Sequence, residues 1–246
     1  MYQFFIEDEN AAEDFVTIEG SDVNHIKNVL RMKPGEKIRV CTRNGQNYFC
    51  SISDITESFV RADILEKEAE STELPCRIYL FQGLPKADKM ELIIQKAVEL
   101  GAYSVVPVST RRCVVKLDNK KAEKKVSRWQ QIAESAAKQS KRMLVPEVHS
   151  VMTFKEALVY AKELDVLLIP YELAKGMKET KELIRSIEPG KSIGVFIGPE
   201  GGFEEQEVAD AMEAGAKPIT LGHRILRTET AGLAVLSVLM FQLEDE

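Results

Sequence analysis

The sequence lacks the features that mark exported or membrane-bound proteins. Its 246 residues include four cysteines, Cys41, Cys50, Cys76 and Cys113, which lie far apart with no C-x-x-C pair and no nearby histidine cluster. These spacings are typical of reduced, structural thiols and argue against a structural zinc site. No segment approaches the roughly 18 apolar residues of a membrane span, and the start, MYQFFIEDEN, has no secretory-signal pattern. We therefore expect a cytoplasmic protein with no bound metal and no membrane contact.

Positive charge is also scarce overall but locally concentrated. The formal net charge of −6 by itself disfavours nucleic acid as a partner. Two stretches, residues 25–43 and 111–142, are nonetheless strongly basic. Either stretch alone is typical of a solvated helix or hairpin face, but two of them in an acidic chain favour a local phosphate-binding surface. The RNA-binding candidates are His25, Arg31, Arg43, Arg111, Arg112, Lys138 and Arg142.

Residues 1 to about 70 are predicted to form a small β-rich domain. The segments KIRVCTR and NYFCSISDI flank Asn44-Gly45, a strong hairpin signal, and FVRADILEK is typical of a further strand. Before them, SDVNHIKNVLRM predicts one helix that begins at Ser21 or Asp22 and stops at Pro34-Gly35. The apolar face of that helix would consist of Val23, Ile26, Val29 and Leu30. The expected structure is a small barrel or sheet with one helix.

Beyond residue 70, strand-like runs alternate with helical patterns to the end of the chain. The apolar runs are CRIYLFQG, SVVPVS, LVPEVHS, DVLLIPY, SIGVFIG and KPITLG. The helical segments are MELIIQKAVEL (ending at Gly101), residues 120–141, FKEALVYAKEL, MKETKELIRSI, EEQEVADAMEAG and ILRTETAGLAVLSVLMFQL. This alternation predicts an α/β domain over residues 71–246, with a parallel sheet covered by helices on both faces.

The segment GVFIGPEGGFEEQEV places a glycine-rich loop directly after a buried strand. Strand-end loops of open α/β sheets are where ligands bind. The loop lacks the Lys and Ser/Thr of a P-loop, and Glu200 would repel a phosphate lying over the backbone amides. We therefore expect a neutral or cationic ligand, and the sulfonium of S-adenosylmethionine fits both the loop and its charge. A tight turn with a capping glutamate is the alternative.

A second unusual segment, LGHRILRTETA, runs from a strand end into the last helix. That helix is almost wholly apolar from Ala231 to Phe241 and too short for a membrane, so it must pack on a sheet or on a partner chain. Thr228 and Glu229 are ordinary helix-start residues. Capping does not explain Arg224 and Arg227, which could steady a glutamate or an RNA phosphate.

These two segments together resemble the RsmE family, knotted SPOUT-type methyltransferases that modify N3 of a uridine in 16S ribosomal RNA, conventionally numbered 1498. The likeness continues in HIKNVLRMKPGEKIRV, KADKMELIIQKAVELG and RWQQIAESAAKQSKR, and so covers nearly the whole chain. One departure is visible, because relatives commonly carry glutamate where this chain has Lys138.

The resemblance implies a PUA-like RNA-binding domain (1–70) and a SPOUT domain (71–246) with a deep C-terminal trefoil knot. It also implies a homodimer, S-adenosylmethionine as cofactor, and 16S RNA within the assembled small subunit as substrate. The implied cofactor-binding residues are Leu168, Pro170, Glu172, Gly198, Pro199, Glu200, Gly201, Gly202, Leu221, Gly222, Ile225, Leu226, Arg227, Thr230 and Ala231.

Methylation at uridine N3 requires that the base be exposed and that its N3 proton be removed. Our hypothesis is that Arg227 stabilises the developing negative charge while Glu200 or Glu229 positions the base or accepts the proton. The alternative is that Arg227 only pairs with Glu229 to hold the loop. Two other functions stay open, a related enzyme that methylates a ribose 2′-OH or another base, and a non-catalytic RNA-binding assembly protein.

Overall fold

The computed structural model describes residues 1–68, 71–171 and 176–244, which form two compact units. Unit 1 comprises Met1–Glu73 and Ala137–Val145, and unit 2 comprises Leu74–Ala136 and Pro146–Glu246. The last turn of one long helix therefore clusters with unit 1, although the rest of that helix belongs to unit 2. No break in the residue pattern at 137 had indicated this.

Unit 1 is built on one five-stranded sheet in the order β1-β3-β4-β5-β2, in which only β1 and β3 run parallel. The predicted hairpin is confirmed, since β3 pairs antiparallel with β4 across a turn where Gly45 has φ 78°. A single apolar core packs against this sheet. The strands are β1 Tyr2–Ile6, β2 Phe15–Glu19, β3 Lys37–Thr42, β4 Asn47–Ile55 and β5 Phe59–Glu68.

The helix of unit 1 differs from its prediction in three ways. It begins as α1, Ser21–Asn24, after Gly20, with no side-chain cap from Ser21 or Asp22. It then widens into a π-helical turn over His25–Val29, where the amide of Leu30 donates to the carbonyl of His25. The wider turn shifts the side-chain period, so Ile26 stays buried whereas Val29 is 61% exposed. Placing Val29 on the buried face was therefore wrong.

Unit 2 contains one parallel sheet in the order β12-β10-β11-β6-β7-β8, with β9 pairing to β7. The central strands β6 and β11 are almost completely buried, which explains their uninterrupted apolar runs. The predicted parallel α/β class is confirmed. The strands are β6 Arg77–Gly83, β7 Ser104–Ser109, β8 Glu147–Val148, β9 Met152–Thr153, β10 Val166–Pro170, β11 Ser192–Ile197 and β12 Lys217–Ile219.

The helices of unit 2 follow the predicted segments with small changes at their ends. The predicted apolar face of α2 is confirmed, because Met90, Ile93, Ile94, Ala97 and Val98 are all buried. The last helix begins at Thr228 rather than at Ile225, because Arg227 is extended (φ −66°, ψ 155°). The helices are α2 Lys89–Glu99, α3 Asn119–Ser140, α4 Phe154–Ala161, α5 Met177–Arg185, α6 Glu205–Glu213 and α7 Thr228–Leu243.

The four cysteines are buried free thiols, and burial raises the pKa of Cys41 and of Cys50 to about 12. Across residues 1–68, 71–171 and 176–244, no helix is long and apolar enough to cross a membrane. Within the same ranges, no group of three His, Cys, Asp or Glu side chains could hold a metal ion.

Candidate active site at the carboxyl edge of the parallel sheet

Three loops leave the carboxyl ends of the adjacent strands β10, β11 and β12. Pro170 of β10 pairs in register with Ile219 of β12, and β10 also pairs with β11, so the three strands end at the same edge. This edge is where open parallel sheets bind their ligands. Among the predicted cofactor residues, Leu168 is fully buried inside β10, Pro170 ends that strand, and Glu172 lies outside the described residues.

The glycine-rich loop after β11 packs its backbone so closely that side chains are excluded. A Cβ on Gly198 would lie 3.0 Å from the carbonyl carbon of Gly202, and one on Gly83 would lie 2.7 Å from the nitrogen of Pro199. Gly202 adopts φ 67° and its amide donates to the carbonyl of Pro199 at 2.9 Å, closing the turn. These positions require glycine because a side chain would displace the loop.

The carboxylate of Glu200 is held from the loop that follows β6. It accepts hydrogen bonds from the backbone amide of Lys86 at 3.0 Å and from Nζ of Lys89 at 3.0 Å. Burial by itself would raise the pKa of Glu200, but these hydrogen bonds and the Lys89 charge lower it overall. Glu200 is therefore an anchored anion and not a free side chain at the loop tip.

Lys89 joins two carboxylates that the sequence separates widely. Its Nζ lies 3.0 Å from Oε1 of Glu200 and 3.3 Å from Oε2 of Glu229. The hydrogen bond to Glu200, together with the Glu229 carboxylate, raises the pKa of Lys89. Two carboxylates thus face one ammonium, which gives the cluster a formal charge of −1.

A buried hydrogen-bond chain connects β6, the glycine-rich loop and the start of α7. Gln82 is fully buried, and its Nε2 donates to Oγ1 of Thr228 at 2.9 Å. The Thr228 hydroxyl donates in turn to the carbonyl of Gly198 at 2.6 Å. Two oxygens beside this chain, Oε1 of Gln82 and Oε2 of Glu229, are buried without a hydrogen-bond partner in the described residues.

The loop before α7 leaves its basic side chains exposed. Arg224 and Arg227 are exposed, and neither forms an ion pair within the part of the chain that the structure describes. The alternative pair of Arg227 with Glu229 does not form in the described residues, where the ion-pair partner of Glu229 is Lys89. Gly222 adopts φ 100°. The other predicted residues here are half-buried Leu221, Leu226 and Ala231, and exposed Ile225 and Thr230.

Four residues of this site are not among those predicted from the sequence, namely Gln82, Lys86, Lys89 and Thr228. Gln82 is a polar residue inside the apolar run CRIYLFQG, which is a usable signal. Lys86 and Lys89 follow the end of β6, which lies beside β11 in the sheet. The strand-end rule would have pointed to them if the strand order had been known.

The predicted RNA-binding residues divide between the two units. In unit 2, exposed Arg111 pairs with Glu204 at 3.3 Å, and exposed Arg112 donates to the carbonyl of Gly201 at 3.0 Å. Unit 1 holds the remaining candidates, of which His25, Arg31 and Arg43 are exposed. Three of the unit-1 candidates are paired: Arg43 with Glu7, Lys138 with Asp22, and the buried Arg142 with Glu73.

Comparison with known proteins decides the family. Residues 72–240 match the family model of an RNA methyltransferase domain, and residues 18–65 match that of an RNA methyltransferase PUA domain. The chain is 40% identical to the ribosomal RNA small subunit methyltransferase E of Bacillus subtilis, over 99% of this chain and 98% of that protein. The chain belongs to the ribosomal RNA small subunit methyltransferase E family. This is the RsmE family that the two loop segments had indicated.

Solved structures agree with membership in the methyltransferase E family. A methyltransferase E from Neisseria gonorrhoeae bound to S-adenosyl methionine superposes with a TM-score of 0.83 at 35% identity, covering 97% of this chain and 96% of that one. A Legionella pneumophila protein in complex with the same cofactor gives a TM-score of 0.85 at 28% identity, covering 98% and 97%. This chain thus shares its fold with both of these structures.

Proposed function

We propose that this enzyme methylates N3 of a specific uridine, conventionally 1498, in the 16S RNA of the small ribosomal subunit, with S-adenosylmethionine as donor. Membership in the methyltransferase E family and the donor bound in two similar structures support the reaction class. The observation that carries the proposal is the negatively charged cluster of Glu200, Lys89 and Glu229 between the glycine-rich loop and α7.

The residues at this edge fit a cationic methyl donor. S-adenosylmethionine would supply an electrophilic methyl group on a sulfonium, and the excess negative charge of the cluster suits that cation. The glycines of two loops allow backbone to approach an adenosine closely. We propose that the donor is held by Leu168, Pro170, Glu172, Gly198, Pro199, Glu200, Gly201, Gly202, Leu221, Gly222, Ile225, Leu226, Arg227, Thr230 and Ala231.

Exposed Arg227 would stabilise the negative charge that develops on the uracil oxygens when N3 loses its proton. Its guanidinium is free of ion pairs in the described residues, and Arg227 directly precedes the helix that carries Glu229. A carboxylate of the cluster would accept the proton. Replacing Arg227 with alanine is expected to lower the rate of methyl transfer without preventing donor binding.

We propose that residues 1–70 bind RNA and that residues 71–246 carry the methyltransferase site. The family match of residues 18–65 to a PUA domain supports the first assignment. Exposed His25, Arg31 and Arg112 are the candidates that pair with no carboxylate in the described residues, whereas a phosphate would have to compete with a carboxylate for Arg43, Arg111, Lys138 and Arg142. Phosphate contacts of this kind make RNA affinity fall steeply with salt. Because the substrate is ribosomal, the enzyme would act in the cytoplasm.

We also propose a homodimer formed through α7, and a trefoil knot at the carboxyl edge of the sheet. On the surface of α7, Phe241 is 86% and Val238 49% exposed, an apolar pair that a second copy would cover. Light scattering tests the dimer: Phe241→Asp should give a monomer, while Val159→Asp on exposed α4 should not change the mass. For the knot, the strand order and the contact of Thr228 with Gly198 provide support.

Methyl transfer from radiolabelled S-adenosylmethionine to small subunits that lack the modification tests the proposed reaction. After nucleoside digestion, we expect the label in 3-methyluridine. Label in a 2′-O-methyl nucleoside or in another base would retain the enzyme class but replace the substrate atom. Absence of both label and donor binding would favour a non-catalytic RNA-binding protein.

A further inference from the structure

The carboxylates of Glu200 and Glu229 differ in the hydrogen bonds that they already accept. Glu200 accepts hydrogen bonds from the Lys86 amide and from Lys89, and its side chain is 27% exposed. Glu229 has a buried Oε2 with no hydrogen bond. That atom lies 3.3 Å from Nζ of Lys89, within ion-pair distance. Of the two carboxylates, Glu229 is therefore the one with a buried oxygen that accepts no hydrogen bond in the described residues.

Lys89 occupies an unusual place for a lysine. It is the first residue of α2, where the positive end of the helix dipole disfavours a cation. The ammonium is kept there by Glu200 on the glycine-rich loop and Glu229 on the first turn of α7. Three separate segments thus meet at one nitrogen atom. Its removal would leave Glu229 without this ion pair, while the Lys86 amide would still hold Glu200.

We propose that Lys89 is a positioning residue that holds Glu229 as the acceptor of the uridine N3 proton, while Glu200 anchors Lys89 and receives no proton. This inference rests on the proposed function. As the N3–carbon bond forms, the donor's carbon–sulfur bond breaks with its electron pair left on sulfur. The N3 proton passes to Glu229, so the cationic donor and the anionic carboxylate both end neutral.

A carboxylate suffices as the acceptor because N3 becomes more acidic as it gains the methyl carbon. Hydrogen bonds from Lys86 and Lys89 lower the pKa of Glu200, which weakens that carboxylate as a base. The titratable groups facing Glu229 are Lys89 of α2 and, across Lys89, Glu200. Strand β11 has no titratable side chain, and within the described ranges no charged side chain of α5 pairs with Glu229.

The test compares Lys89→Met, Lys89→Arg, Glu229→Gln and Glu200→Gln in single-turnover methylation of unmodified small subunits across pH. Lys191→Met is the matched control, since Lys191 forms one ion pair, with Asp165, at the opposite edge of the same sheet. Calorimetric titration with S-adenosylmethionine and thermal unfolding of each variant separate misfolding and lost donor binding from slow proton transfer.

We expect Glu229→Gln to slow the reaction by about 10²- to 10⁴-fold and to abolish the acid limb of its pH profile. Lys89→Met should slow it by about 100-fold, the cost of a misplaced catalytic group. Because loss of the ammonium favours protonated Glu229, the acid limb should also move to higher pH. Lys89→Arg should recover part of the rate, and Lys191→Met should match the wild type.

Two results would overturn the assignment. Wild-type rate and an unshifted acid limb in Lys89→Met would exclude the positioning role, and a slow Glu200→Gln beside a fast Glu229→Gln would reverse the two carboxylates. In both cases the wild type still forms 3-methyluridine, so the proposed function stands. A wild type that binds no donor and labels no nucleoside would overturn both.

Discussion

Two carboxylate clusters lie at opposite edges of the parallel sheet and differ in how completely they are hydrogen-bonded. At the amino edge, Asp165 accepts from the amide of Ser192 at 2.8 Å, its hydroxyl at 2.6 Å, and Nζ of Lys191 at 3.2 Å. At the carboxyl edge, Glu229 keeps a buried oxygen without any hydrogen bond. Both clusters contain a lysine and join neighbouring segments. Only the cluster at the carboxyl edge has a carboxylate oxygen that accepts no hydrogen bond in the described residues.

This difference separates a structural cluster from a reactive one. The Asp165 carboxylate joins the start of β10 to the start of β11 through three hydrogen bonds and needs no ligand to complete them. A buried acceptor without a partner costs about 1–3 kcal/mol of stability. Such a cost persists in a folded protein mainly where a substrate or ligand completes the hydrogen bond. The comparison therefore predicts that changes at the carboxyl edge alter function, whereas changes at the amino edge alter only stability.

The largest effect is expected from Gly83→Ala. The new Cβ would lie 2.7 Å from both the nitrogen and Cδ of Pro199, so the glycine-rich loop must move. Overpacking of about 1–3 kcal/mol corresponds to about five- to 150-fold weaker donor binding if the loop bears the strain. Calorimetric titration with S-adenosylmethionine measures this change.

The matched variant at the amino edge is Gly190→Ala. Gly190 has φ 83° with open space around its Cβ position, so alanine is strained without touching a neighbour. We expect a loss of about 1–2 kcal/mol in unfolding free energy and unchanged donor affinity. Unchanged donor affinity in Gly83→Ala would contradict the claim that changes at the carboxyl edge alter function.

Thr228→Val should give an intermediate effect on both properties. It removes the hydroxyl between Gln82 and the Gly198 carbonyl, leaving buried polar groups unpaired at a cost of about 1–3 kcal/mol. Because Gly198 begins the glycine-rich loop, the affinity for S-adenosylmethionine should also fall. The dissociation constant should rise about tenfold for each 1.4 kcal/mol by which the bound state is destabilised. Ser192→Ala removes a hydroxyl at the amino edge and should lower the denaturation midpoint alone. Equal affinity losses in the two variants would contradict the division between edges.

The smallest effect concerns the pH dependence of stability at the amino edge. Hydrogen bonds from Ser192, and then the charge of Lys191, lower the pKa of Asp165 below its usual range. The resulting stabilisation is present above the unfolded-state pKa of about 3.9 and is lost as pH falls towards the lower folded value. Asp165→Asn should therefore destabilise the protein at neutral pH and flatten the acid limb of its stability curve. Urea denaturation of Asp165→Asn and the wild type between neutral and acidic pH measures this change. The same pH dependence of stability in both proteins would contradict the prediction.

Much of the fold could be predicted because its periodicities are local. The hairpin around Asn44-Gly45, the apolar face of α2 and the buried runs of β6 and β11 each depend on neighbours within a few residues. The π-helical turn at His25–Val29 could not be predicted, since an i→i+5 hydrogen bond leaves no periodic signature in so short a helix. The clustering of residues 137–145 with unit 1 was missed for a related reason, because helical periodicity continues unbroken through Ala137.

For the active site, the two loop segments could be identified from the sequence. The residues that contact their carboxylates are brought there by the tertiary structure. GPEGGF and LGHRILRTETA were sufficient to indicate the family, its donor and both carboxylates. Lys89 could not be found in this way, since it is separated by 111 residues from Glu200 and meets Glu229 only after β6 and β11 pair and α7 packs on α2. Ion pairs and hydrogen bonds act over a few ångströms in space, so sequence distance does not encode them. Which oxygen stays unsatisfied is fixed only when every neighbouring donor has been placed.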